Sequence, residues 1–193
     1  MRICVCGGTN PATNPKYLGF ADELGQALVD HNFDMIWGGN AFGALARVHK
    51  KYEDNKKNNT LVLPAAYIDD LDKLQIRNVI KTDTVSRRTR KMFSLADVIL
   101  VIPGGIGTIY EFWSAVEYKR AHEFDIDIIL YNCDNFYKHQ LAHFKFINEN
   151  GFTKVGVGGA SYKMQPEELF KVLSTPEEVI DELRRIQKVR GLQ

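Results

Sequence analysis

Short apolar runs without alternating polar residues constrain this fold more than any other feature of the sequence. They cover residues 2–6, 33–37, 60–63, 98–102 and 126–131. A strand with one face in water alternates polar and apolar residues, whereas a strand buried on both faces does not. The runs therefore predict a Rossmann-like, doubly wound α/β fold, with a mainly parallel sheet and helices on both of its faces.

The segments between these runs have the apolar spacing of helices. Helices are predicted at residues 15–31, 41–52, 86–96, 107–121, 135–150 and 176–189, with a further short strand at 78–81. Two connections interrupt this pattern: residues 53–59 are polar, and residues 154–165 are rich in glycine and have no evident purpose. Neither is typical of a domain boundary, so we expect residues 1–193 to form a single domain.

Charge and cysteine content narrow the functional classes. Lys and Arg number 25 and Asp and Glu 24, so no overall field favours nucleic acid or a membrane surface as a partner. The three cysteines are too few for a disulfide framework, and no signal segment precedes the first strand, so we expect a cytoplasmic protein. Cys4 and Cys6 should face the same side of one strand as buried thiols. His139 and His143 lack the third ligand of a metal site, and we expect neither metal nor cofactor.

Three glycine-rich segments, at residues 6–10, 38–43 and 103–108, follow predicted strands, at the place where parallel sheets bind ligands. Glycine lets the main chain approach a ligand closely, and the amides at a helix N-terminus favour phosphate. We expect residues of the third segment to bind phosphate, namely Gly104, Gly105, Ile106, Gly107 and Thr108. Residues of the first two are candidates for contacts to the rest of the ligand, namely Gly7, Gly8, Thr9, Asn10, Gly39 and Asn40. None of the segments matches the P-loop or the complete dinucleotide fingerprint, which disfavours a kinase or a conventional dehydrogenase.

Two charged residues stand out beside the third segment. Glu111 lies one turn into the helix that the segment opens, where a carboxylate can also simply complement the helix dipole. Arg88 lies in a basic cluster whose other members, Arg87, Arg90 and Lys91, fit an exposed helix face. Arg88 instead shares a side with Met92, so it is the candidate for the inward-facing arginine.

Residues 103–111, PGGIGTIYE, are similar to the PGGxGTxxE motif of the Lonely Guy (LOG) family of cytokinin riboside 5′-monophosphate phosphoribohydrolases, long misnamed lysine decarboxylases. The resemblance extends to the glycines near residues 7 and 38, the spacing of Arg88 and Met92, and the segment 150–152. It implies that Arg88 and Glu111 are catalytic and that 104–108 bind phosphate. Where the family has His and Lys near the arginine, this chain has Ser86 and Thr89, which leaves the base preference open, and Arg87 could take the place of Arg88. Together with the residues of the first two glycine-rich segments, Arg87 and Met92 are the candidates for ribose or base contacts.

The resemblance implies hydrolysis of a nucleoside 5′-monophosphate to a free base and ribose 5-phosphate. The partner is then a small nucleotide, an AMP, CMP or modified-base monophosphate. It also implies a homodimer or larger homo-oligomer, in which Phe112, Trp113 and Val116 could form the interface as readily as they could form the core. A non-catalytic nucleotide sensor and a nucleoside deoxyribosyltransferase remain alternatives. A true lysine decarboxylase is disfavoured, because no context for a pyridoxal phosphate lysine is evident.

Overall fold

The computed structural model describes residues 1–65, 76, 78–152 and 166–192. Within these ranges one parallel sheet has the strand order β4-β3-β2-β1-β5-β6-β7. The strands are β1 (Arg2–Cys6), β2 (Asp34–Trp37), β3 (Asn59–Pro64), β4 (Asn78–Thr82), β5 (Val98–Val101), β6 (Asp127–Tyr131) and β7 (Lys171–Leu173). All six neighbouring pairs are parallel, as the apolar runs predict.

Helices cover both faces of the sheet. They are α1 (Pro15–Asp30), α2 (Gly43–Asp54), α3 (Val85–Leu95), α4 (Ile106–Arg120), α5 (Lys138–Glu149), α6 (Pro166–Leu169) and α7 (Pro176–Val189). Side chains of α1, α2 and α7 form one core with the sheet, and those of α3, α4 and α5 form the other. The doubly wound α/β fold predicted from the sequence is therefore confirmed.

The strand order changes direction at β1. Strands β2 to β4 extend to one side of β1, and β5 to β7 extend to the other. The connections that leave β1 and β5 consequently run to opposite faces of the sheet, and a crevice opens between them at the carboxyl ends of the strands. This crevice is where the glycine-rich segments after β1 and β5 meet.

The structure departs from the predicted elements in a few places. The helix predicted at 135–150 begins only at Lys138, because a 3-10 turn at Cys133–Asn135 precedes it, with Asp134 at a φ of 52°. The prediction placed neither α6 nor β7. The strand β7 has only three residues and is largely exposed, so it carries no apolar run to reveal it. The connection at 154–165 lies outside the described residues.

The cysteines of β1 lie in the core as predicted. Cys4 and Cys6 are fully buried on the α3 and α4 side of the sheet, with their Sγ atoms 3.8 Å apart. In the part of the chain that the structure describes, none of the helices combines the length and the apolarity that crossing a bilayer requires.

A buried histidine supports the strand that leads to the second glycine-rich segment. The His49 ring on α2 stacks on Trp37 at the end of β2, with ring centroids 4.0 Å apart. The imidazole is 1% exposed, and burial lowers its pKa from 6.5 to about 4, although Asn59 opposes the shift. The native state therefore holds His49 neutral where an unfolded chain would protonate it.

This pKa difference predicts a loss of stability in acid. The contribution of neutral His49 is fully present above pH 6.5 and is lost as the pH falls towards 4, by about 3 kcal/mol in total. Urea unfolding measured across this range should show the free energy of unfolding fall. The His49→Phe variant keeps a stacked ring but cannot titrate, so its free energy of unfolding should fall by about 3 kcal/mol less over the same range. Identical pH dependence in the two proteins would contradict the assignment.

Candidate functional site

A cavity of about 740 Å³ opens at the carboxyl ends of the strands. It falls within the size range of small-molecule sites. All three glycine-rich segments line it, through residues that include Gly7, Gly8, Thr9, Asn10, Gly39, Asn40, Gly104, Gly105, Ile106, Gly107 and Thr108. The structure therefore brings these segments together, as expected for strands that end at the same edge of a sheet.

Direct backbone contacts hold the first glycine-rich segment against the other two. The Gly8 N–H donates to the Pro103 carbonyl at 3.0 Å, and the Gly8 carbonyl accepts from the Leu45 N–H at 3.0 Å. A Cβ on Gly104 would lie 2.7 Å from the Gly8 nitrogen and 2.2 Å from Thr108 Oγ1. A Cβ on Gly43, which has a φ of +74°, would lie 2.6 Å from the Gly8 oxygen. Glycine is required at both positions because the backbones pack in direct contact.

The third segment ends in the N-terminus of α4. This helix begins after Gly105, which has no side chain to cap the first amides. The N–H groups of Ile106, Gly107 and Thr108 have no partner within the helix, and they carry the positive end of its dipole. All three residues line the cavity, so this end of the cavity is suited to a phosphate or another anion.

A buried ion pair lies in the same cavity. Arg88 of α3 donates from Nη2 to Glu111 Oε1 of α4 at 2.8 Å, with side chains only 19% and 9% exposed. Burial raises the pKa of Glu111, whereas Arg88 and the Cys6 thiol beneath it act in the opposite direction. Glu111 is thus held close to a cation and away from bulk water, which is a typical environment for a catalytic carboxylate.

The Arg88 side chain is tightly confined on its other face. A Cβ on Gly38 would lie 3.3 Å from the Arg88 guanidinium carbon and 3.4 Å from Met92 Sδ. The Arg88 Nε atom is buried and makes no hydrogen bond to the described residues. This nitrogen is a donor that a bound ligand or a water molecule can satisfy.

Two predicted candidates do not line the cavity. The Arg87 side chain is 72% exposed and pairs with Asp83, so it does not replace Arg88 as the partner of Glu111. Successive helical residues point about 100° apart, so only one of the two arginines can face inward. Met92 shares the face of Arg88, as predicted, but it is fully buried in the core beneath the cavity.

The carboxamides of Asn10 and Asn40 lie at the cavity and shape its loops. Asn10 Oδ1 accepts from the Ala12 N–H, and Asn40 Oδ1 accepts from the Phe42 N–H. Asn40 has a φ of 132°, which is unusual for a residue with a side chain. Their Nδ2 groups remain available to a ligand.

Sequence reasoning missed an apolar part of the cavity wall. It includes Tyr17, Phe42, Leu63, Val85 and Phe136. These residues come from different elements and follow no motif. Only Phe42, which lies within the second glycine-rich segment, has a position in the sequence that could have indicated it.

The apolar residues next to Glu111 pack inside the protein. Phe112 and Val116 are buried in the core, and Trp113 packs on Phe112 and Phe144 with ring centroids 4.9 and 5.5 Å away. The structure therefore places Phe112 and Val116 in the core of this chain, whereas Trp113 is only partly buried and its role in an interface stays a prediction. Within the described ranges, which include His139 and His143, no three His, Cys, Asp or Glu side chains are grouped so that they could hold a metal ion.

Known proteins resemble this chain in sequence. The family model described as "possible lysine decarboxylase" matches residues 45–183. The cytokinin riboside 5′-monophosphate phosphoribohydrolase LOG3 of Arabidopsis thaliana is 26% identical over 152 residues, which cover 78% of this chain and 71% of the relative. "Probable cytokinin riboside 5′-monophosphate phosphoribohydrolase LOGL2" of Oryza sativa subsp. japonica is 24% identical over 183 residues, covering 94% of this chain and 71% of the relative.

Solved structures share the fold at lower identity. A molybdenum cofactor binding protein from Rippkaea orientalis superposes with a TM-score of 0.69 at 19% identity, over 96% of each chain. The molybdenum cofactor carrier protein of Chlamydomonas reinhardtii gives 0.67 at 19% identity, over 97% of this chain and 98% of the other. The family model covers most of the chain, and the curated relatives carry the family name that residues 103–111 predict. The chain therefore belongs to the LOG family.

Proposed function

We propose that this protein hydrolyses the N-glycosidic bond of a nucleoside 5′-monophosphate, releasing a free base and ribose 5-phosphate. The observation that carries the proposal is the buried Arg88–Glu111 pair in the same cavity as the uncapped N-terminus of α4. The names of the curated relatives describe this reaction for a cytokinin nucleotide. Their low identity to this chain leaves the base open.

The 5′-phosphate binds at the N-terminus of α4 in this proposal. The free amides and the Thr108 hydroxyl donate to its oxygens, and the helix dipole stabilises its charge. Phosphate is remote from the bond that breaks, so its binding energy can be used to position the sugar. A nucleoside without phosphate should therefore be a poor substrate.

The spacing along α4 fits a ribose between the phosphate and Glu111. Thr108 and Glu111 are three residues apart and share a face of the helix, so they are separated by about 4.5 Å along its axis. Both line the cavity. A sugar whose phosphate lies at Thr108 thus has its ring beside the carboxylate.

Cleavage of a ribosyl N–C bond leaves positive charge on the sugar and negative charge on the departing base. In the proposed mechanism the Glu111 carboxylate stabilises the cationic sugar, contacts the ribose hydroxyls and orients or deprotonates the attacking water. The Arg88 guanidinium, 2.8 Å from Glu111, favours the ionised form of the carboxylate against the effect of burial and offsets negative charge on the base or the phosphate. Burial strengthens both interactions.

The test is product analysis with a panel of nucleotides. Purified protein is incubated with AMP, CMP, GMP, UMP, dCMP and isopentenyladenosine monophosphate, each beside its nucleoside, and free base and ribose 5-phosphate (or its deoxy analogue) are measured by chromatography. We expect equal amounts of both products from at least one nucleotide, with much less base from its nucleoside. A second base added in excess would capture the sugar if the protein were a transferase.

The alternative is a protein that binds a nucleotide or related phosphorylated ligand without turnover. The names of two fold neighbours describe a binding protein and a carrier of molybdenum cofactor, so this fold also occurs outside the named hydrolases. Tight binding of a nucleotide with no product would favour this alternative. The homodimer implied by the family resemblance stays a prediction, which light scattering would test.

A further inference from the structure

Tyr137 lies outside the cavity but contacts the main chain just before residues 103–108, which we call the phosphate segment. Its side chain is fully buried, and its hydroxyl donates to the Ile102 carbonyl at 2.7 Å. Ile102 is the residue between the end of β5 and the Pro103-Gly104-Gly105 turn. The hydroxyl therefore bonds the main chain where it leaves the sheet to form the phosphate segment.

Hydrogen bonds fix three consecutive peptide groups between Val101 and Gly104. The Ile102 N–H donates to the Cys6 carbonyl at 2.8 Å, and the Pro103 carbonyl accepts from Gly8 at 3.0 Å, so β1 and its loop hold the first and the last of the three. The Ile102 carbonyl lies past the last paired residues of β5 and β6. Ile102 is buried, so without Tyr137 this carbonyl would be a buried acceptor that no strand satisfies.

The turn that carries Tyr137 is itself firmly held. The Tyr137 N–H donates to Asn132 Oδ1 at 2.8 Å, and the Asn132 N–H donates to the Leu173 carbonyl at 2.7 Å. Between them, Asp134 and Asn135 have φ values of 52° and 54°. Two consecutive residues with side chains in the left-handed region are unfavourable, and such strain is retained where surrounding contacts fix the geometry.

We propose that Tyr137 is a positioning residue that sets the direction of the Pro103–Thr108 segment and thereby its affinity for phosphate. This inference rests on the proposed function, because it assigns the phosphate of the substrate to that segment. The Tyr137 hydroxyl does not touch the ligand. It acts through its hydrogen bond to the Ile102 carbonyl. This bond fixes the main chain that precedes the phosphate-binding amides.

Two other buried tyrosines provide a matched control. The hydroxyls of Tyr52 and Tyr131 are buried and have no hydrogen-bond partner among the described residues. Tyr52 is the better control, because it lies on α2 and its hydroxyl bonds no acceptor within the described residues. Tyr137→Phe and Tyr52→Phe thus delete the same atom, but only the first breaks a contact with the phosphate segment.

The experiment measures ribose 5-phosphate binding by calorimetry, together with kcat/KM for a nucleotide and its nucleoside. We expect Tyr137→Phe to weaken ribose 5-phosphate binding about tenfold and to lower the preference for nucleotide over nucleoside, the loss expected for one hydrogen bond to a buried group. Tyr52→Phe should change neither. A Tyr137→Phe protein that unfolds at a lower temperature but binds ribose 5-phosphate like the wild type would overturn the inference and leave Tyr137 a purely structural role.

Binding and turnover separate the two proposals. If the wild type binds ribose 5-phosphate and Tyr137→Phe weakens that binding, the inference stands even when no nucleotide is hydrolysed, and only the proposed hydrolase activity fails. If the wild type does not bind ribose 5-phosphate, the phosphate assignment is wrong and the inference falls with it.

Discussion

Replacing Glu111 with glutamine should reduce the rate of base release by on the order of 10³-fold or more, while nucleotide binding persists. The amide keeps the size of the side chain and can still contact the ribose, but it has no negative charge to stabilise a cationic sugar and cannot accept a proton from water. Initial rates of base release at saturating nucleotide measure the effect. Calorimetry with the same nucleotide shows whether the site still binds.

The matched control for this variant is Glu117→Gln on the same helix. Glu117 lies six residues after Glu111, is about half exposed and pairs with Arg120. Its charge is screened by water, so its removal should change the rate of base release less than twofold. Equal losses in the two variants would show that charge on α4 in general, rather than the buried carboxylate, determines the activity.

The second large effect is expected from Gly104→Ala, which should destabilise the protein by about 1–3 kcal/mol and abolish ribose 5-phosphate binding. The new Cβ would lie 2.2 Å from Thr108 Oγ1 and 2.7 Å from the Gly8 nitrogen. Relief of these contacts requires the two glycine-rich backbones to separate, which disrupts the amides proposed to hold phosphate. Urea unfolding and calorimetry measure the two losses.

Gly107→Ala provides the control within the same segment. A Cβ at this position has no heavy atom within 4 Å, and Gly107 is already the second residue of α4. Alanine there should leave the free energy of unfolding unchanged or raise it by up to about 1 kcal/mol, because alanine favours helix. If Gly107→Ala destabilised the protein as much as Gly104→Ala, close packing of Gly104 on Gly8 could not be the cause.

The sequence predicts the main parts of the fold and the site because local features specify them. Buried parallel strands need continuous apolar runs, so the apolar run that becomes β5 can be recognised without knowing its neighbours. The glycine-rich segments follow from their positions after such runs. Arg88 is distinguished from Arg87 by helical periodicity alone, and the structure places it on the inward face, paired with Glu111.

Contacts between distant segments cannot be predicted in this way. Tyr137 and Ile102 are 35 residues apart, and nothing near Tyr137 in the sequence indicates a partner. Helical periodicity places Met92 on the face of Arg88, but it does not give depth, and Met92 lies in the core below the cavity. Phe136 lines the cavity because it follows directly on the 3-10 turn before α5, and the sequence did not predict that turn.

The most direct test of the account is a single-turnover measurement with protein in excess over one nucleoside 5′-monophosphate that binds. Excess protein detects even slow chemistry, because every nucleotide is bound and steady-state product release does not limit the signal. The account predicts that the nucleotide disappears completely and that one free base and one ribose 5-phosphate form for each nucleotide consumed. Quantitative recovery of intact nucleotide from the bound complex would contradict it and identify a protein that binds its ligand without cleaving it.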